Sequence, residues 1–132
     1  MDIIIIIGHG ERSNKDTTIE DVAKQVHRMI HPECTYNCVR TAYLQFTKPG
    51  VHDAIKDSIL CGAKRIIIHP YFLSSGVHVT ENIPEIIKEM KANYPEIEFI
   101  YTDPLGGHAK LAEVVLERIK AVTDIKPDQG RR

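Results

Sequence analysis

Five consecutive isoleucines at positions 3–7, closed by Gly8, constrain this chain more than any other feature. A second apolar run, RIIIH at 65–69, follows Gly62 and precedes Pro70. β-branched side chains are stiff and favour strands, and an apolar run without alternation suits a strand buried on both faces. Such strands belong to a parallel sheet covered by helices. The isoleucine run is far too short to span a bilayer, and Asp2 stands where a signal peptide would carry positive charge.

Helical patterns lie between the strands. Ile19, Val22, Ala23, Val26, Met29 and Ile30 follow i, i+3, i+4, i+7 spacing and form one apolar stripe. VHDAIKDSILCG follows Pro49 and stops at Gly62. Ile83, Ile86, Ile87 and Met90 mark a third helix; Leu111, Ala112, Val115, Leu116, Ile119 and Val122 mark a fourth. Further strands are expected at about 36–43 and 98–101. Asn82 with Glu85 three residues on, and Pro84 between them, reads as a capping box opening the third helix. The resulting β-α alternation gives an α/β fold, a flavodoxin-like three-layer sandwich with a four-stranded parallel sheet in order 2-1-3-4. One domain is expected over 1–125, followed by a polar, mobile tail at 126–132.

Seventeen basic and eighteen acidic residues leave a formal charge of -1, which lacks the basic footprint of a nucleic-acid binder. Cys34, Cys38 and Cys61 are too few, and odd in number, for a secreted disulfide framework. Cys34 and Cys38 have C-x3-C spacing with no second such pair, so all three read as reduced structural thiols in a soluble, cytoplasmic protein with no membrane partner.

In an open parallel sheet of this order, ligands collect at the carboxyl ends of the first and third strands, where the crossovers diverge. Those strands lead into the two most unusual loops, GHGERSN and PYFLSSGVHV. Topology therefore brings His9 and His78 to one crevice. Neither loop carries a phosphate-binding fingerprint, which argues against a nucleotide or flavin module. Two neutral imidazoles suit a borderline divalent metal and leave most coordination positions to water or substrate. Glu81, three residues after His78, is a candidate base, whereas Glu85 is explained by the helix start.

GHGER-N, AYLQFTKPGVHDAI, AKRIIIHPYFLSSGVHVTENIPEII and DPLGGHAKLAEVVLERI resemble, in this order, the short CbiX form of sirohydrochlorin cobaltochelatase, over nearly the whole chain to about Val122. G-V-H-V-T-x-x-I-P is the specific part. The resemblance implies a class II chelatase, a lyase of cobalamin and porphyrin biosynthesis that inserts a divalent metal into a tetrapyrrole without nucleotide hydrolysis. Longer relatives carry two lobes facing across a cleft, so a one-lobed chain implies a homodimer. Metal would be held by His9 and His78, with no cofactor permanently bound: the Co2+, or Ni2+ or Fe2+, is itself a substrate. Three positions depart from the family pattern. Glu11 stands where HGSR is usual, Gln45 stands in AYLQF where many members have glutamate, and His69 replaces an apolar residue. Gln45 cannot be a base at neutral pH, which leaves Glu11 or Glu81 to substitute.

The reaction requires stripping water from M2+, binding a flat anionic macrocycle and accepting two pyrrole protons. A neutral imidazole can serve as ligand and as base. The expected apolar lining is Tyr43, Phe72, Leu73, Val77 and Val79, with Gln45 and Gly76 beside it. Arg12, Ser13, Asn14, Ser74 and Ser75 are expected to meet the macrocycle carboxylates, and Glu81 to join His9 and His78 in taking protons. The rivals are an iron or nickel chelatase and a non-catalytic metal or tetrapyrrole carrier.

Overall fold

The computed structural model describes residues 1–13 and 15–128; Asn14 and the last four positions of the expected tail lie outside the described residues. Four strands, β1 (Asp2–Gly8), β2 (Val39–Tyr43), β3 (Arg65–Pro70) and β4 (Glu98–Tyr101), alternate with four helices, α1 (Thr18–Ile30), α2 (Val51–Leu60), α3 (Ile83–Asn93) and α4 (Ala109–Lys120). The sheet is wholly parallel in the order β2-β1-β3-β4, the flavodoxin-like order expected.

The isoleucine run owes its position to its chemistry. β1 is central, pairing Ile4 with Val39 on one side and Ile5 with Ile68 on the other. Ile3, Ile5 and Ile7 face one core with Ile55 of α2, Ile83 and Met90 of α3, and Ile66 and Ile68 of β3. Each such isoleucine removed from water stabilises the fold by roughly 1.5–3 kcal/mol. Ile6 faces the opposite layer, where Ala23 of α1 and Val39 form a smaller cluster flanked by Ile4, Ile19, Val26 and Tyr71. Helices thus cover both faces, and the α1 face is the thinner.

Four expectations are corrected. β2 starts at Val39 rather than at 36, because Tyr36 N–H donates to Cys34 Sγ (3.3 Å) and Cys38 N–H to the Tyr36 carbonyl (2.9 Å), so this stretch is a turn. The α1 stripe frays: Met29 is 80% exposed, since the last turn runs past the sheet. The α4 stripe is amphipathic as expected, yet none of its residues is buried. The capping box does not form. A π-helical turn, His78–Asn82, runs straight into α3, with the Ile83 N–H bonded to the His78 carbonyl and Asn82 itself helical.

His69 lies half-buried on β3, its Nδ1 2.7 Å from Thr102 Oγ1, and burial holds its pKa below the ordinary imidazole value of 6.5. In the native state it is neutral where the unfolded chain already binds a proton. Its contribution is therefore full above about pH 6.5 and is lost as the pH falls from there through the lowered native pKa. The urea midpoint is expected to fall between pH 7 and 5, and to fall less steeply for His69→Asn. Equal slopes for the two proteins would remove His69 as the cause.

Candidate functional site

The loop after β1 and the helix start after β3 meet at the carboxyl edge of the sheet, and the His9 and His78 rings lie with centroids 5.0 Å apart, edge to face at 69°. Each ring has a structural reason for its place. Gly10 adopts φ +94°, and a Cβ there would run into the Gln45 carbonyl oxygen, so only glycine allows the turn that presents His9. The parallel ladder extends past β2, with Leu44 N–H bonded to Gly8 O and Gln45 N–H to His9 O, which sets Gln45 beside His9. His78 opens the π-helical turn. The Gly76 carbonyl accepts from Val79 and Thr80 at the start of that turn, and Tyr101 Oη donates to the Val79 carbonyl (2.7 Å). π-helical turns recur at functional sites.

The two rings have different hydrogen-bond partners. His78 Nδ1 lies 2.7 Å from Asn82 Oδ1, an acceptor, so Nδ1 carries the proton and Nε2 keeps its lone pair. His9 Nδ1 faces the Gly10 carbonyl at 3.3 Å, while its Nε2 lies 3.0 Å from Gln45 Nε2, an amide donor. Gln45 Nε2 also lies 3.4 Å from His9 Nδ1, so the amide spans both nitrogens of that ring, and it is His78 whose contact leaves Nε2 for a ligand. An ion bonded at about 2.1 Å to one nitrogen of each ring, at near-right angles, would place the centroids roughly 4.6–5.3 Å apart. The observed 5.0 Å falls within this range, and an ion at His9 Nε2 would displace the Gln45 amide that now lies 3.0 Å from it.

Around the pair, Phe72 stacks on His78 with centroids 6.2 Å apart and planes inclined by 28°. Tyr43, almost fully buried, lines a pocket beside His9 with Ile19, Thr47 and Tyr71. Leu73, Val77 and Phe46 are exposed apolar side chains, and the Arg12 guanidinium lies over the Phe46 ring at 4.3 Å. Ser74, Ser75 and Gly76 are exposed.

Other candidates are placed differently. Val79 is buried at 6% exposure and packs inward instead of lining the crevice, because it sits on the core side of the π-helical turn. Ser13 donates to the Glu11 carboxylate, which also accepts from the Lys15 and Asp16 amides. The Ser13 hydroxyl and these amides hold Glu11 below the usual carboxylate range, so Glu11 is ionised and shapes its own loop. Its backbone exchanges hydrogen bonds with Thr47 Oγ1, tying the β1 loop to the β2 loop. Glu81 is exposed and lines a groove with Thr80, Asn82, Pro84, Glu85 and Lys88, separate from the pocket beside His9. Asn14 lies outside the described residues. Asn82 was hidden behind its capping signature; its i+4 spacing from His78 is the signal that places it beside the ring.

The model of the CbiX family matches residues 3–122. The chain belongs to the CbiX family. Among curated CbiX-like proteins it is 35% identical over 129 residues to the sirohydrochlorin cobaltochelatase of Methanococcoides burtonii, covering 90% of this chain and 95% of that one. It is 30% identical over 119 residues to the chloroplastic sirohydrochlorin ferrochelatase of Arabidopsis thaliana, covering 90% of this chain but 52% of the plant protein. Among solved structures it superposes on the sirohydrochlorin chelatase SirB of Bacillus subtilis subspecies spizizenii in complex with cobalt, with a TM-score of 0.76 and 23% identity. That match covers 92% of this chain and 50% of SirB. This CbiX chain thus spans nearly all of its archaeal relative and about half of the longer ones.

Proposed function

We propose that this CbiX chain inserts a divalent metal, Co2+ foremost, into sirohydrochlorin, a lyase reaction without nucleotide hydrolysis or a resident cofactor. The single observation that carries the reading is the His9–His78 pair, its rings 5.0 Å apart at the carboxyl edge of the sheet. Two ligands leave an open coordination sphere, as delivery requires, whereas a four-ligand cage would retain the ion. His9 and His78 hold M2+ and, once it has passed to the macrocycle, take the displaced pyrrole protons on the same nitrogens. The macrocycle lies on Phe72, Leu73, Val77 and Phe46, and its carboxylates meet Arg12, Ser13, Ser74 and Ser75. The crevice is completed by a second copy of the chain. No helix of the described residues is long and apolar enough to cross a membrane. Three cysteines are too few, and odd in number, for a secreted disulfide framework, which supports a cytoplasmic location.

Two substitutions test the hydrogen bonds around the pair. Asn82→Ala removes the acceptor that orients His78 and is expected to weaken metal binding by about 10–100-fold, measured by competition with a chromophoric chelator. Unchanged affinity would return Asn82 to the role of a bystander. Gln45→Glu places a charged acceptor where an amide now rests on His9. Metal affinity is expected to rise by about tenfold, the scale of a charge-assisted contact replacing a neutral one. A fall in affinity would show that Gln45 is not at the metal.

The curated relatives are named for cobalt and for iron. Two imidazoles discriminate poorly among these ions. Anaerobic initial rates with Co2+, Fe2+ and Ni2+ rank them: the reading expects insertion of at least one above the protein-free rate, Co2+ fastest. Fe2+ or Ni2+ leading would change the assigned metal and leave the chelatase reading in place.

A further inference from the structure

At the opposite end of the sheet, where α1 ends and β2 begins, the chain runs His27-x3-His31-x2-Cys34-x3-Cys38. The four side chains converge, with one ligand atom of each within 4.8 Å of all the others. We propose that His27, His31, Cys34 and Cys38 form a second, closed metal site that takes a Zn2+-type ion in tetrahedral N2S2 coordination and staples α1 to β2.

The sequence places the ligands by ordinary means. His27 lies in the last turn of α1 and His31 caps that turn, the His31 N–H closing on the His27 carbonyl at 2.7 Å, and their rings stand edge to face with centroids 6.0 Å apart. The Cys34 N–H then bonds the His31 carbonyl, folding the chain back so that both cysteines face the helix end. The Cys34 and Cys38 sulfurs are 3.8 Å apart and not bonded to each other. Two thiolates on one tetrahedral ion at about 2.3 Å lie about 3.8 Å apart, so the sulfur pair is already at its liganded spacing. The Tyr36 N–H donates to Cys34 Sγ at 3.3 Å, the kind of support a metal thiolate receives from its own turn. The Nε2 of His27 is enclosed and has no hydrogen-bond partner among the described residues. An enclosed imidazole nitrogen without a partner is costly unless something binds it. Two thiolates and M2+ sum to zero charge, which suits the buried Cys38.

This centre differs in kind from the His9–His78 pair. It has four protein ligands, two of them soft, and no open position, so it stabilises structure and does not deliver its ion. Neither ion depends on the other.

The test uses the His9→Ala/His78→Ala protein, purified reduced, so that the first site is absent. Titration with Co2+ should fill one equivalent with a thiolate-to-cobalt charge-transfer band in the near ultraviolet and the strong visible bands of tetrahedral cobalt, and Zn2+ should bleach both. Adding Cys34→Ser/Cys38→Ser should abolish the charge-transfer band, while Cys61→Ser should leave it intact. His27→Gln, which keeps a polar group of similar length, should weaken Co2+ binding at least about tenfold and shift the visible bands. Zn2+ should also raise the melting temperature of the His9→Ala/His78→Ala protein and not that of the further cysteine variant. Absence of the charge-transfer band, its persistence without Cys34 and Cys38, or a Cys34–Cys38 disulfide in protein kept under reductant would each overturn the proposal.

Discussion

His9→Ala and His78→Ala are each expected to lower kcat/KM for metal insertion by about a thousandfold, because each removes a ligand and a proton acceptor at once. The double variant should be little worse than the poorer single one, since half of a two-ligand site has no separate function. Folding should survive: His9 is exposed and His78 only half-buried, so their melting temperatures should stay within a few degrees of the parent. Insertion kinetics followed by the absorbance change on metallation, with thermal melts of the same samples, check this. Near-parent rates for both variants would remove the pair from the mechanism; low rates with lowered melting temperatures would attribute the loss to misfolding.

A second large effect is expected at α4. Val114, Val115 and Ile119 are 48%, 57% and 38% exposed on a helix with no buried residue, and Val122 beyond it is 84% exposed. An exposed apolar stripe of this kind marks an interaction surface, and on the reading proposed above its partner is a second copy of the chain. Val115→Glu/Ile119→Glu places charge within that stripe. The protein should change from the mass of two chains to that of one by light scattering. Metal insertion should fall by about a hundredfold, because a macrocycle held by one wall is poorly placed for transfer. A parent protein that is already monomeric, or a monomeric variant with parental activity, would show that one lobe suffices.

How far the sequence could be followed depended on whether a signal was local. Ile3 to Ile7 have to be buried on both faces wherever they sit, so β1 and the parallel sheet were legible without coordinates, and strand order then carried His9 and His78 to one edge. Asn82 was misread because Asn-x-x-Glu satisfies a helix cap equally well; the competing acceptor, the His78 ring, becomes visible only once the π-helical turn brings i and i+4 together. Val79 was misplaced for the same reason, as a loop would leave it in the crevice and the helical turn rotates it inward. The cysteine pair has no second pair of cysteines to complete it in the sequence; the side chains that converge on it are histidines at the end of the preceding helix. The α4 stripe is legible as amphipathic, and no element among the described residues buries it.

The most direct measurement is metal insertion by the unmodified protein: anaerobic sirohydrochlorin and Co2+ with catalytic amounts of the chain, followed by absorbance against a protein-free control. Many turnovers per chain are expected, at a rate proportional to protein and well above the control. A rate equal to the control, with metal or tetrapyrrole bound once per site and retained, would contradict it and make the chain a carrier.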